Sequence, residues 1–244
     1  MNLFNIISEI EQVDAEAADR YSFYSRRNLL RVGSNLAAAA IPTFFAATAN
    51  QAFAQSAGPS QAAVDVLNYA LTLEYLEDEF YRLGRNASGL IPTTDRAIMD
   101  QISKHEAAHV ALLKGALGSV AVAKPTFKFP ADAFTNYQTF LTLAQAFEDT
   151  GVRAYKGQAG ALINDKAILQ VALQIHSVEA RHASEVRRLR GQKGWVSDTS
   201  ATTTMQAGVD LKTLTGKPES AIREAFDEPL TKDQVLAIVK PYLA

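Results

Sequence analysis

The chain has 244 residues, 24 of them basic and 26 acidic, for a formal net charge of −2. Such a balance gives no electrostatic case for nucleic-acid binding. There is no cysteine, which excludes disulfides, thiolate zinc sites, iron–sulfur clusters and thiol catalysis, a rubredoxin-type iron centre among them.

Ser25-Arg26-Arg27-Asn28-Leu29-Leu30 precedes an uncharged, Ala-rich stretch from Val32 to Val64, which contains Ala52-Phe53-Ala54 just before Gln55. A basic segment, an apolar segment and small residues at a cleavage site make a secretory signal. The paired arginines resemble a bacterial twin-arginine signal. Residues 1–54 are therefore expected to be a signal segment that directs the chain to the periplasm or otherwise out of the cell. Cleavage near Gln55 would leave no stable membrane insertion. The competing readings are a chance Arg pair before a buried helix and an uncleaved signal kept as an anchor. Replacing Arg26 and Arg27 with Lys is expected to trap the precursor in the cytoplasm. Cell fractionation checks this, and unchanged export would remove the twin-arginine reading.

Apolar residues at helical spacing predict four helices across residues 61–191. The first, α1, covers about 62–83, with Leu67, Leu71, Glu74, Asp78 and Tyr81 near one face and Gly84 following. The second, α2, covers about 94–117, with Ile98, Ile102, Glu106, His109 and Leu113 in its stripe. The third, α3, covers about 134–158, with Leu141, Ala144, Glu148, Val152 and Tyr155 aligned. The fourth, α4, runs from an expected N-cap at Asn164 to Arg190, with Ile168, Val171, Ile175, Glu179, His182 and Val186 in its stripe and Gly191 as stop signal. The α1–α2 and α3–α4 joins are short, so each pair is antiparallel. The α2–α3 join, residues 118–133 with Pro125 and Pro130, is longer. About 15 extended residues reach up to ~50 Å, whereas a 20-residue helix spans ~30 Å. This join can therefore cross the full length of the bundle. The fold class is all-α: a four-helix bundle with a long crossover and a helical C-terminal tail.

In that tail, residues 192–244, Gly194-Trp195 and Ser197–Thr204 read as loop and Pro218–Phe226 as a short helix. Thr231-Lys232-Asp233-Gln234 fits a capping box before Val235, Leu236, Ile238 and Val239. The tail is expected to pack on the bundle or a second subunit, with Trp195 as an anchor.

The chemistry-bearing pattern is repeated in two halves. Glu74 is followed 32 residues later by Glu106-Ala107-Ala108-His109, and Glu148 is followed 31 residues later by Glu179-Ala180-Arg181-His182. Residues i and i+3 share a helix face at roughly 5–6 Å, so each Glu-x-x-His can converge on one ion. One Glu from each of two helices plus a Glu-x-x-His from each of the others builds a dinuclear carboxylate site in a bundle. Two metal ions per chain are expected, iron first and manganese second, because hard carboxylates with imidazole and no thiolate suit them. Each ligand sits within an apolar stripe, where an uncompensated carboxylate is costly. The competing reading is a bundle with a salt-bridged polar core.

Tyr81 lies seven residues after Glu74, and Tyr155 seven after Glu148, about two turns along the same face. Both are expected to hydrogen-bond ligand carboxylates. His176, one turn before Glu179, is a candidate supporting partner, with a core or boundary role as the plainer alternative. His105 is expected at the surface. Glu77 is the chief competitor of Glu74 as the α1 ligand, and Glu185 is expected to pair with Arg188 or Arg181.

The strings Ala70-Leu71-Thr72-Leu73-Glu74-Tyr75 and His176-Ser177-Val178-Glu179-Ala180-Arg181-His182, with the two-halved ligand pattern, resemble the ferritin-like superfamily. The likeness is greatest to its twin-arginine-exported bacterial ferritin-like domain proteins, and it covers roughly residues 61–192. The resemblance implies ferritin-like topology, the ligands Glu74, Glu106, His109, Glu148, Glu179 and His182, and Glu106 and Glu179 as bridging carboxylates. Two function classes stay open. One is a redox enzyme, a ferroxidase, a peroxidase or a manganese-catalase-like oxidoreductase, with O₂ or peroxide as its small-molecule substrate. The other is a non-catalytic iron-binding or stress- and desiccation-related structural bundle. Assembly into a homo-oligomer is compatible with both.

Overall fold

In the computed structural model, which describes residues 59–197, 215–218, 221, 224 and 229–244, Ser60 opens the first helix. Its side chain accepts from the Ala63 amide. Its own hydroxyl donates to Asp165 Oδ2 at 2.8 Å, which ties the starts of α1 and α4 together. Residues 1–54, the loop expected after Ser197 and most of the helix expected at Pro218–Phe226 lie outside the described residues.

The four bundle helices are α1 Gln61–Asn86, α2 Arg96–Leu117, α3 Tyr137–Gln158 and α4 Lys166–Leu189. The starts of α2 and α3 fall two or three residues later than the apolar pattern indicates, and the cap position of α4 falls one residue later than expected. A cap fixes the α3 start, where Asn136 Oδ1 accepts from the amides of Gln138 and Thr139; the cap position of α2 is Asp95, and that of α4 is Asp165 rather than Asn164, neither with a side-chain cap bond. Gly84 does not end α1. It lies inside the helix, and the Phe140 ring occupies the space a β-carbon there would need. Gly191 does end α4. It has φ +71, and the amides of Gly191 and Gln192 bond the carbonyls of Arg188 and Arg187, a Schellman closure.

Helices α1 and α2 pair as one hairpin and α3 and α4 as the other, with α1 also against α3. The crossover climbs along α1. Asn68 bonds the backbone of Val120 and Val122. Lys124 reaches Asp78 and Glu79. Phe129 and Phe134 then pack on Phe80 at 5.5 and 5.7 Å between ring centroids.

A fifth helix, α5 Lys232–Val239, has the expected capping box. Its Val235 and Val239 are buried in the bundle core. Nearby, Phe127 of the crossover forms an antiparallel bridge with Leu243. Trp195 is not the anchor of this tail: it is 53% exposed, with Lys193 Nζ 5.6 Å from its ring. Among the described residues no helix is long and apolar enough to cross a membrane.

The core falls into two apolar clusters. One gathers Leu73, Leu76, Phe80, Met99, Phe140 and Phe147. The other gathers Leu67, Leu71, Leu113, Ile168 and Ile175. Each such side chain stabilises the fold by roughly 1.5–3 kcal/mol on burial, which offsets the cost of the polar groups buried with them.

Candidate metal centre

Together with the two apolar clusters, the bundle buries a layer of charge. Glu74, Glu106, Glu148 and Glu179 are fully buried, and His109 and His182 nearly so. All six are brought together by four different helices. Their ligand atoms form two sets, Glu74, Glu106, His109 and Glu179, and Glu106, Glu148, Glu179 and His182, each within 4.8 Å. Glu106 and Glu179 belong to both sets, which is the placement expected of bridging carboxylates.

Both imidazoles turn Nδ1 inward. His109 Nδ1 lies 3.1 Å from Glu74, 3.2 Å from Glu106 and 3.1 Å from Glu179. His182 Nδ1 lies 2.9 Å from Glu106, 3.3 Å from Glu148 and 3.9 Å from Glu179. The His182 contacts are close but misaligned for hydrogen bonding: Nδ1 has no hydrogen-bond partner, nor do Glu106 Oε1, Glu148 Oε2 or either Glu179 oxygen.

The two tyrosines cross between the halves. Tyr81 on α1 donates to Glu148 on α3, and Tyr155 on α3 donates to Glu74 on α1, each at 2.5 Å. Because α1 and α3 run antiparallel, equal seven-residue offsets place each Tyr level with the other helix's Glu. Each phenol occupies one oxygen of its carboxylate and so orients the other.

His105 is not a surface residue. It is half-buried, and its Nδ1 lies 2.9 Å from His182 Nε2, with Gln101 beyond it at 2.7 Å. A contact on the distal nitrogen fixes which His182 nitrogen faces inward. The sequence signal for this role was weak, because His105 faces the centre only through a residue on another helix. His176 sits half-buried on α4, one turn before Glu179. Glu185 pairs with Arg188 at 3.1 Å.

Burial raises the Glu74 carboxyl to about 7, against the opposing pull of His109. Burial and then the charges of Glu106 and Glu74 push Glu179 well above the carboxylate range. Burial acts the same way on Glu106, but His109 and His182 win and hold it low. For His182 burial favours the neutral ring, yet Glu148 and Glu106 lift it to about 11. His109 is likewise lifted by Glu74 and Glu106 against its burial. Glu74 and Glu179 are thus pushed toward their protonated forms, and both imidazoles toward their charged forms.

The donor set fits metal on these grounds. Its orphaned oxygens and inward nitrogen are ligand atoms lacking partners, and two divalent cations would balance four carboxylates with both imidazoles neutral. A half-satisfied buried network is otherwise a costly arrangement.

Fold and cluster together define a helical-bundle protein whose buried carboxylate–histidine centre can bind metal ions. A family model described as the ferritin-like domain matches residues 62–192, and the chain belongs to that family. No curated protein matches it.

Proposed function

We propose that the chain is a dinuclear metalloprotein that oxidises Fe(II) or consumes peroxide or O₂. The observation that carries this reading is the sharing of Glu106 and Glu179 between two ligand sets. Glu74 and His109 would complete one side and Glu148 and His182 the other. Iron is the first candidate and manganese the second, because the donors are hard oxygens with one imidazole per set. A bound pair of such ions supplies two electrons, or accepts two, within one site. The chain's own residues position the ligands. Tyr81 and Tyr155 orient the terminal carboxylates, His105 sets the His182 tautomer, and the apolar clusters keep the layer away from bulk water. We also propose that the protein works after export, as the Arg26-Arg27 segment suggests.

Protein purified from its native compartment is expected to carry about two Fe or Mn per chain. It should oxidise Fe(II) or decompose peroxide in stopped-flow assays. A metal-bearing but redox-inert protein would favour the iron-binding role. A metal-free protein that stays metal-free on reconstitution would favour a structural bundle.

A further inference from the structure

One buried carboxylate stands outside both ligand sets. Glu77 is 3% exposed and lies one helical turn after Glu74 on α1. Burial first, and then the charges of Glu179, Glu148, Glu74 and Glu106, push its carboxyl well above the ordinary range. The small cavity beside it, no larger than about one water molecule, is lined by Leu73, Leu76, Phe147, Thr150 and Val239 of α5. None of these is a cation.

The opposite helix makes room for it. Glu77 lies between the levels of Glu74 and Tyr81, and Gly151 lies between those of Glu148 and Tyr155. A β-carbon on Gly151 would stand 3.3 Å from Glu77 Oε1 and 3.4 Å from Glu179 Oε2. Glu77 and Glu179 therefore flank one methyl-sized gap. Gly151 also holds the position on α3 that Glu77 holds on α1, three residues after the ligand-set glutamate. The two halves of the pattern differ here, and a second long side chain would fill the space the first one uses.

We propose that Glu77 is a fifth carboxylate of the centre, available to bound ions as an additional oxygen ligand from the α1–α3 side through the gap left by Gly151. The inference rests on the dinuclear reading above. It makes the centre unsymmetric, with one more oxygen donor than the two-halved motif supplies.

The test uses the full chain stripped of metal and titrated with Co(II), a coloured probe that does not turn over. Wild type is expected to bind about two Co(II). Glu77→Gln should weaken binding at least about tenfold and change the visible Co(II) spectrum, which reports ligand number. Without metal, Glu77→Gln should melt higher than wild type, because a buried carboxyl set among other carboxylates is gone, while the stabilisation gained from Co(II) should shrink. Glu77→Leu, an apolar filler for the same space, should reproduce the weakened binding and covers the case in which Gln misfolds. Wild-type affinity and spectrum in either folded variant would overturn the Glu77 role and leave the dinuclear reading standing. A wild type that binds no Co(II) would overturn both.

Discussion

Glu179→Leu and His182→Ala are expected to lose metal while moving stability in different directions. Glu179 contributes to both ligand sets, and neither of its oxygens has a hydrogen-bond partner. Burial and neighbouring carboxylates push Glu179 toward its neutral form, so leucine of similar volume should leave the metal-free variant at least as stable as wild type, with a Tm no lower. It should bind neither ion and lose redox turnover. His182→Ala removes one imidazole from one set only. Alanine is the best helix former, so α4 should persist, and the vacated ring should cost the apoprotein stability of the order of a core truncation, ~2–5 kcal/mol. Bound metal should fall from about two per chain toward one, and activity by more than the ~10–100-fold typical of losing a supporting contact. Elemental analysis, peroxide or Fe(II) consumption and melting curves on the three proteins decide it. If the wild type stays metal-free on reconstitution while Glu179→Leu is at least as stable, the layer is a structural polar core.

The second large effect is on pH, and its sign follows from the direction of the shifts. Burial raises Glu74 to about 7 in the fold, from its ordinary 4.5, and Glu148 and Glu106 raise His182, against its burial, to about 11 from 6.5. Between each ordinary value and each folded value the folded apoprotein holds a proton that the unfolded chain has released. Stability is therefore withdrawn as pH rises through those windows, and the metal-free Tm is expected to fall from pH 5 to pH 8. Ligands must shed the same protons to bind metal. Affinity should thus rise with pH, about tenfold per unit for each proton released, so added metal should rescue the melting temperature most at the alkaline end. Melts with and without chelator, and Mn(II) titrations at several pH values, test both limbs. A metal-free Tm that climbs over this range beside a flat affinity would contradict the assignment.

Most of the site is legible in the sequence because its elements are local. Helical periodicity places Glu106 with His109 and Glu179 with His182 on single faces, and the apolar residues around them mark those faces as buried. The length of the α2–α3 join permits a crossover, and Asn68, Lys124 and Phe129 show it running along α1. The α4 stop at Gly191 follows equally from local backbone chemistry.

The tertiary structure alone decided how the faces meet. Periodicity tells which residues share a side of one helix, but the level of one helix against another is set by packing. Only that level shows that Tyr81 serves Glu148 and Tyr155 serves Glu74, rather than each serving its own helix. The same level brings His105 onto His182 and sets Glu77 opposite Gly151. Gly84 is a further case. Its composition signals a helix end, yet the ring of Phe140 from α3 fills the space beside it and the helix continues to Asn86. Local preference is worth about 1 kcal/mol at such a position, and burying an aromatic ring outweighs it.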